Sequence, residues 1–249
     1  MTDTTNRSVV RAFSVVDELA NSGSVGVSEL ARRLDMPVST TYDTLQSLVE
    51  TGYVLKDGTQ YRISTRFLEV GNQQRHRMGI YTAVRDELEA VAEETGEQAT
   101  LFVEEAGEAV LLAVFEGDDA VSLLAYPGAR MPLHANAGGK AILAHMPDER
   151  VSSLLDGELA AVTKHTITDS RLLREQLEAI HERGYAVDEG ERIAGIVCVA
   201  VPVLDRDDVV RGAICVCGPA SRMGETRRRA VAEVAQRAAN ITQVNIDYV

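Results

Sequence analysis

The stretch that most constrains this chain is Val27 to Val54, VSELARRLDMPVSTTYDTLQSLVETGYV. It predicts two short helices joined by a tight turn and followed by a strand. Ser28 is placed to cap the first helix, and Glu29 sits in its first turn, where a negative charge suits the helix dipole. Leu30, Ala31 and Leu34 form its apolar face. Pro37 interrupts the chain after Asp35-Met36 and suits the start of a new helix. In that second helix Val38, Tyr42, Leu45, Leu48 and Val49 recur at helical spacing on one side, and Ser39, Thr40, Asp43, Thr44 and Ser47 occupy the other. Gly52 is a helix stop. A helix with one buried face and one face of short hydrogen-bonding groups, entered by a tight turn, is what the major groove of DNA admits. Beyond it, Asp57-Gly58 between two short β-prone runs predicts a hairpin, and a hairpin after a recognition helix is a wing.

The charge argues against DNA until it is divided. The 249 residues carry a net charge of −13, but residues 1–79 hold nine basic and nine acidic side chains, so the whole acid excess falls in residues 80–249. Lysine is confined to Lys56, Lys140 and Lys164. An acidic, lysine-poor, arginine-using surface suggests a high-salt cytoplasm, where salt screens self-repulsion; an ordinary acidic sensor domain is the alternative. Phosphate attraction falls steeply with salt. Specific binding there leans on base contacts, shape and dimerisation. No apolar run reaches the roughly 18 residues of a membrane span. The N-terminus has no apolar signal region, and three cysteines without a CxxC fit a reducing cytoplasm.

Elsewhere, residues 6–21 predict a first helix with Val9, Ala12, Phe13, Val16, Leu19 and Ala20 on its apolar face. Residues 65–95 predict helix with a weak point at Gly79. Strands are expected at 98–104, 109–116, 121–125, 185–188, 195–203 and 209–218, and helices at 137–145, 148–155, 170–183 and 225–245. Runs of strands with separate helices predict an α+β domain on an antiparallel sheet.

These residues resemble the IclR-type transcriptional regulators over nearly the full length. The likeness rests on Ser8-Val9-Val10-Arg11-Ala12, on the helix-turn-helix stretch, on MPLHANAGGKAILA (131–144), on GYAVDEGERIAGIVCVAVPV (184–203) and on GAICVCGPASRM (212–223). It implies a winged helix-turn-helix (1–65), a linker helix (66–80) and a GAF-like effector-binding domain (81–249). It also implies a homodimer or dimer of dimers on a palindromic operator in double-stranded DNA, with affinity changed by a small organic effector such as a carboxylate or sugar acid. No enzymatic activity, cofactor, metal or membrane partner is expected in that reading. Together with the charge, it suggests a haloarchaeal source.

Ser39, Thr40, Thr41 and Thr44 are candidates for base or phosphate contacts, and Arg7, Arg11, Arg33, Lys56 and Arg62 for phosphate contacts; the bland alternative is solvated surface. Asp43 stands where the family commonly has a basic residue. It is either a specificity residue accepting from a cytosine amino group or an acid tuned to the helix dipole. In the ligand half, Leu124, Met131, Leu133 and Ile196 are candidate pocket walls, with core packing the equal alternative; the resemblance points to the backbone of Ala137 and Gly138 as an anion site and to Asp188 as a group facing the pocket, a strand-end surface acid being its alternative. Pairing Val203 with Val210 in the last hairpin would set Cys198 opposite Cys215, with Cys217 on the same face. At 215 and 217 the family often has serine. Three thiols on one patch therefore leave three readings open: effector-pocket lining, plain core, or a thiol-based redox or metal sensor using Cys198, Cys215 and Cys217, with His134 as a further ligand. A Cys198–His134 nucleophile–base pair is the enzymatic alternative, and a ligand-free architectural DNA binder is a third class.

Overall fold

The computed structural model describes residues 6–123 and 126–246. Two compact units divide between Gln74 and Arg75.

The first unit opens with α1 (Arg7–Ser22), whose Asn6 N-cap oxygen accepts from the Ser8 N–H at 3.0 Å. Strand β1 (Val25–Gly26) and helix α2 (Val27–Arg33) follow. The N-cap of α2 is Gly26, so Ser28 lies inside the first turn rather than capping it. The turn after α2 is a Schellman ending: the Met36 N–H reaches the Ala31 carbonyl at 2.9 Å, with Asp35 at φ 49° where glycine is usual. Pro37 then caps α3 (Val38–Glu50). Helix α3 ends in a second Schellman motif, with Gly52 at φ 78° and the Tyr53 N–H on the Leu48 carbonyl at 3.0 Å. β2 (Val54–Asp57) and β3 (Gln60–Ile63) form the wing, turning on Gly58-Thr59 because Asp57 is already paired with Gln60. β1 adds to β3, giving a three-stranded antiparallel sheet the sequence did not announce. The core is Val15, Leu19, Val25, Leu30, Leu45, Val54 and Tyr61. The expected apolar face of α1 is only half right: Leu19 is buried and Ala12 and Val16 are half-buried, but Val9, Phe13 and Ala20 are exposed. Helix α4 (Arg66–Arg77) carries the division between the units.

The second unit continues with α5 (Gly79–Thr95), which begins where the helical segment was expected to weaken. Then come β4 (Gln98–Glu105), β5 (Glu108–Glu116), β6 (Arg130–Pro132), a 3-10 turn over Leu133–Ala135, α6 (Ala137–Leu143), α7 (Asp148–Leu155) and α8 (Ser170–Arg183). β7 (Ala186–Glu189), β8 (Ile196–Leu204), β9 (Val210–Pro219) and α9 (Glu225–Ile246) complete it. The six strands form one antiparallel sheet in the order β6-β5-β4-β9-β8-β7. The expected strand at 121–125 is not formed over 121–123; residues 124–125 lie outside the described residues, and β6 pairs with β5 instead.

Alternation divides β8 and β9 cleanly. Val197, Val199, Val201, Ile214 and Val216 join the core with α5 and α9. Cys198, Ala200, Ala213, Cys215 and Cys217 face the other way, into the core shared with α6, α7 and α8. Branched side chains fill the first face and small ones the second. The small face admits α6 at close range: a Cβ on Gly138 would stand 2.5 Å from the Phe102 ring, and one on Gly139 would stand 2.2 Å from the Leu133 carbonyl. Among the described residues no helix is long and apolar enough to cross a membrane.

Candidate functional site

In the first unit α3 presents Ser39 and Asp43 to solvent, with Thr40 and Thr44 half-buried beside them. Thr41 is different. It is fully buried and its hydroxyl donates to the Pro37 carbonyl at 3.1 Å, so it packs α3 onto its own unit and is unavailable to DNA. The spacing that put Tyr42 on the buried side also misplaces it: Tyr42 is 44% exposed and Val38 is 52% exposed. The buried stripe runs through Thr41 and Leu45, so the solvent face of α3 is Val38, Ser39, Tyr42 and Asp43. Tyr42 is a contact candidate that the apolar-spacing argument concealed. The Thr44 and Ser47 hydroxyls donate back to the Thr40 and Asp43 carbonyls, at 2.8 and 3.0 Å, which leaves their lone pairs outward as acceptors.

Arg7 and Arg11 on α1 and Lys56 and Arg62 on the wing are exposed. The Lys56 ammonium lies 5.6 Å from the Tyr61 ring centre. Arg33 is not a free cation. It pairs with Glu18 at 3.0 Å and with Glu29 at 2.8 Å, and Arg32 also takes Glu29 at 2.6 Å. The Arg32 and Arg33 guanidiniums together hold the Glu29 carboxyl down to about 2. A phosphate contact by Arg33 has to compete with that network.

In the second unit the registers bring distant residues into one row across the small face. Gln98 on β4 pairs with Cys217 on β9, Cys217 with Cys198 on β8, and Cys198 with Asp188 on β7. The expected partner of Cys198 was Cys215; that residue instead faces Ala200 and, on its other side, Thr100. The hairpin turn accounts for the difference. Asp205 takes the Asp207 and Val209 N–H groups, both at 2.9 Å, and β9 carries a bulge at Arg211, so pairing beyond it is offset by two residues from the simple count. An offset of two leaves every side chain on its face. The three thiols therefore do share one patch, with all sulfurs within 4.8 Å of one another.

Asp188 is 1% exposed, and burial pushes its carboxyl up to about 7 although Oδ1 accepts the Glu191 N–H at 2.6 Å. Glu191 also takes the ammonium of Lys140, which is fully buried in α6 and whose affinity for its proton burial lowers. Two buried atoms beside this row lack a hydrogen-bond partner: Gln98 Nε2, a donor, and Glu191 Oε2, an acceptor. Orphaned buried polar atoms are uncommon in folded proteins. The Cys215 thiol is held below its usual range, first by its hydrogen bonding with Cys198 and then by that with Cys217.

Met131, Leu133 and Ala137 are buried in the same core as the three cysteines, Ile196 is half-buried against that core, and Gly138 is buried beside the Phe102 ring. Leu124 lies outside the described residues. Asn136 caps α6 by accepting from the Gly139 N–H at 2.7 Å while donating to the Pro132 carbonyl at 2.8 Å. His134 Nε2 lies 3.0 Å from the Ala160 carbonyl and is not a member of the thiol group, so it serves neither as base to Cys198 nor as a fourth ligand. A groove of about 1020 Å³ along α7 and α8, including His145 and His181, shares no residue with the row.

Comparison with known proteins agrees with both units. Residues 8–58 match the IclR helix-turn-helix domain, and residues 73–243 match the bacterial transcriptional regulator IclR C-terminal domain. The HTH-type transcriptional regulator BhcR of Paracoccus denitrificans is 33% identical over 236 residues, 94% of this chain and 85% of that one. The crystal structure of the Thermotoga maritima IclR superposes with a TM-score of 0.82 at 31% identity, over 97% of this chain and 99% of that one. An IclR homologue from Microbacterium hydrocarbonoxydans, solved in complex with 4-hydroxybenzoate, shares the fold with a TM-score of 0.84 at 24% identity, over 97% of this chain and all of the other.

Proposed function

The chain belongs to the IclR family of transcriptional regulators, with a DNA-binding helix-turn-helix and a C-terminal effector domain, and on that footing we propose that a small organic metabolite, bound on the small face of the second unit's sheet, sets its affinity for a palindromic operator. The observation that carries the effector half is the Gln98–Cys217–Cys198–Asp188 row with its unpartnered Gln98 Nε2 and Glu191 Oε2. A ligand satisfying both must offer an acceptor to one and a donor to the other. A hydroxy acid or sugar acid does so, and Asp188, half-protonated near neutrality, serves either polarity.

The division into a winged helix-turn-helix (1–65), linker helix (66–80) and GAF-like domain (81–249) belongs to the same proposal. So does a homodimer or dimer of dimers, which the outward Val9, Val10 and Phe13 of α1 and Leu68 and Val70 of α4 support, since clustered exposed apolar groups mark association surfaces. The acid excess of residues 80–249 supports a salt-rich cytoplasm. On α3, Ser39, Thr40, Tyr42, Asp43 and Thr44 would read bases, with Arg7, Arg11, Lys56 and Arg62 on phosphates.

The test is fluorescence anisotropy of the purified protein on its own upstream DNA in molar KCl, with random DNA as competitor and a panel of hydroxy and sugar acids. Preference for the upstream DNA that one such acid alters, and that Asp188→Ala makes unresponsive, is the expected result. Equal affinity for both DNAs would sink the operator reading, and a full response in Asp188→Ala would sink the site.

A further inference from the structure

The organic-effector reading uses Cys198 and Cys217 as members of one row, and leaves aside the triangle of sulfurs they make with Cys215. Cys215 and Cys217 project from one strand at i and i+2, Cys198 from the strand beside it, and the three sulfurs lie within 4.8 Å of one another, with Cys215 and Cys217 at 3.7 Å. All three are free and buried. A metal–sulfur bond of about 2.3 Å requires sulfur–sulfur separations of about 3.8 Å in a tetrahedral and about 4.0 Å in a trigonal arrangement. The closest pair is already there, and the others need only small side-chain adjustments.

We infer that Cys198, Cys215 and Cys217 form a three-coordinate sulfur site for a soft monovalent metal ion of the Cu(I) type. The donor set decides the ion. Thiolates select soft metals, whereas Mg²⁺ and Ca²⁺ want oxygen. Structural zinc closes a tetrahedron with four protein ligands; this group holds three sulfurs and contains neither an imidazole nor a carboxylate. A monovalent ion is content with three. A disulfide fits less well. Directly opposed residues such as Cys198 and Cys217 have Cβ atoms about 4.5–5.5 Å apart, wider than the roughly 3.5–4.5 Å a disulfide spans. Each metal–sulfur bond formed releases that thiol's proton to solvent, without change of oxidation state.

The experiment uses the full-length protein, reduced and kept from air, titrated with Cu(I) against a coloured Cu(I) chelator, with Zn(II) against a zinc indicator in a parallel arm. The expected result is one Cu(I) retained per chain, protection of all three thiols from a thiol-alkylating reagent, and proton release on binding. Cys215→Ser and Cys217→Ser should each weaken retention by roughly tenfold or more. No retained Cu(I), retention of Zn(II) in its place, or serine variants that retain Cu(I) undiminished would overturn the assignment. Where a serine variant does not fold, the stoichiometry in the unaltered protein decides: one Cu(I) retained and three protons released per chain. Metal retention is read without DNA, so its failure leaves the operator reading untouched.

Discussion

Replacing Asp188 by asparagine isolates the most perturbed acid of the row. Burial lifts its carboxyl from an ordinary 3.8 to about 7. Between those values the folded chain keeps the proton and the unfolded chain has released it. Stability therefore falls as pH rises through that window and is level with respect to this group above it. At about 1.4 kcal/mol for each pH unit, the loss is on the order of 4 kcal/mol. Asparagine keeps an Oδ1 acceptor for the Glu191 N–H and cannot ionise. The assay is urea unfolding of both full-length proteins, followed by far-UV circular dichroism at fixed salt from pH 4 to 8. Acids of opposite slope, such as Glu29 with its carboxyl lowered to about 2, titrate alike in both and cancel in the difference. The variant's advantage over the wild type should grow by about 4 kcal/mol across the range. A difference that stays constant with pH would show that Asp188 is ionised throughout, and the argument from desolvation would be wrong.

Thr40→Ala is expected to reduce discrimination between operator and random DNA by roughly 1–3 kcal/mol, the worth of a good base contact. Thr41→Val, one residue on, should leave that discrimination unchanged while lowering thermal stability, because its hydroxyl serves the Pro37 carbonyl in the core; the two variants compared in one competition assay separate the faces of α3. Gly139→Ala should destabilise the second unit by about 3 kcal/mol, at the upper end of overpacking costs, since its Cβ meets backbone at the Leu133 carbonyl rather than a flexible side chain. Lys140→Met alone strands the buried Glu191 carboxylate and should cost about 3–5 kcal/mol in urea unfolding. Adding Glu191→Met should recover most of that, and a double variant no better than the single would refute the pairing.

The helix-turn-helix was legible because its signals are local. Pro37, Gly52 and the apolar spacing each act within a few residues, and α3 appears where they place it. The same spacing misjudged which side of α3 is buried. A helix of 13 residues leaves room for only a narrow contact stripe. Tyr42 lies at its margin, where ring chemistry says core and geometry says solvent; only the packing of α1 and α2 against Thr41 and Leu45 decides it. β1 went unseen because its two residues gain strand character only from Tyr61 and Gln60, far along the chain. Five of the six strands in the second unit were readable from alternation, and so was the common face of the three thiols; β6, three residues long, was missed, and 121–125 was read as strand in its place. Their partners were not. A side chain's face repeats every second residue, so an error of two in register does not change it, whereas a cross-strand neighbour changes with every step. The bulge at Arg211 and the Asp205 turn supply that offset, and nothing in the spacing of the two strands encodes it. Gln98 was beyond reach for a stronger reason. Its pairing with Cys217 joins residues more than a hundred positions apart, through a β4–β9 contact that exists only once the whole sheet has formed. The chemistry of this site thus resides in a row whose members are ordinary one by one. A glutamine, two cysteines and an aspartate become a candidate ligand floor because sheet order sets them side by side and burial leaves Gln98 Nε2 without a partner and Asp188 with its proton.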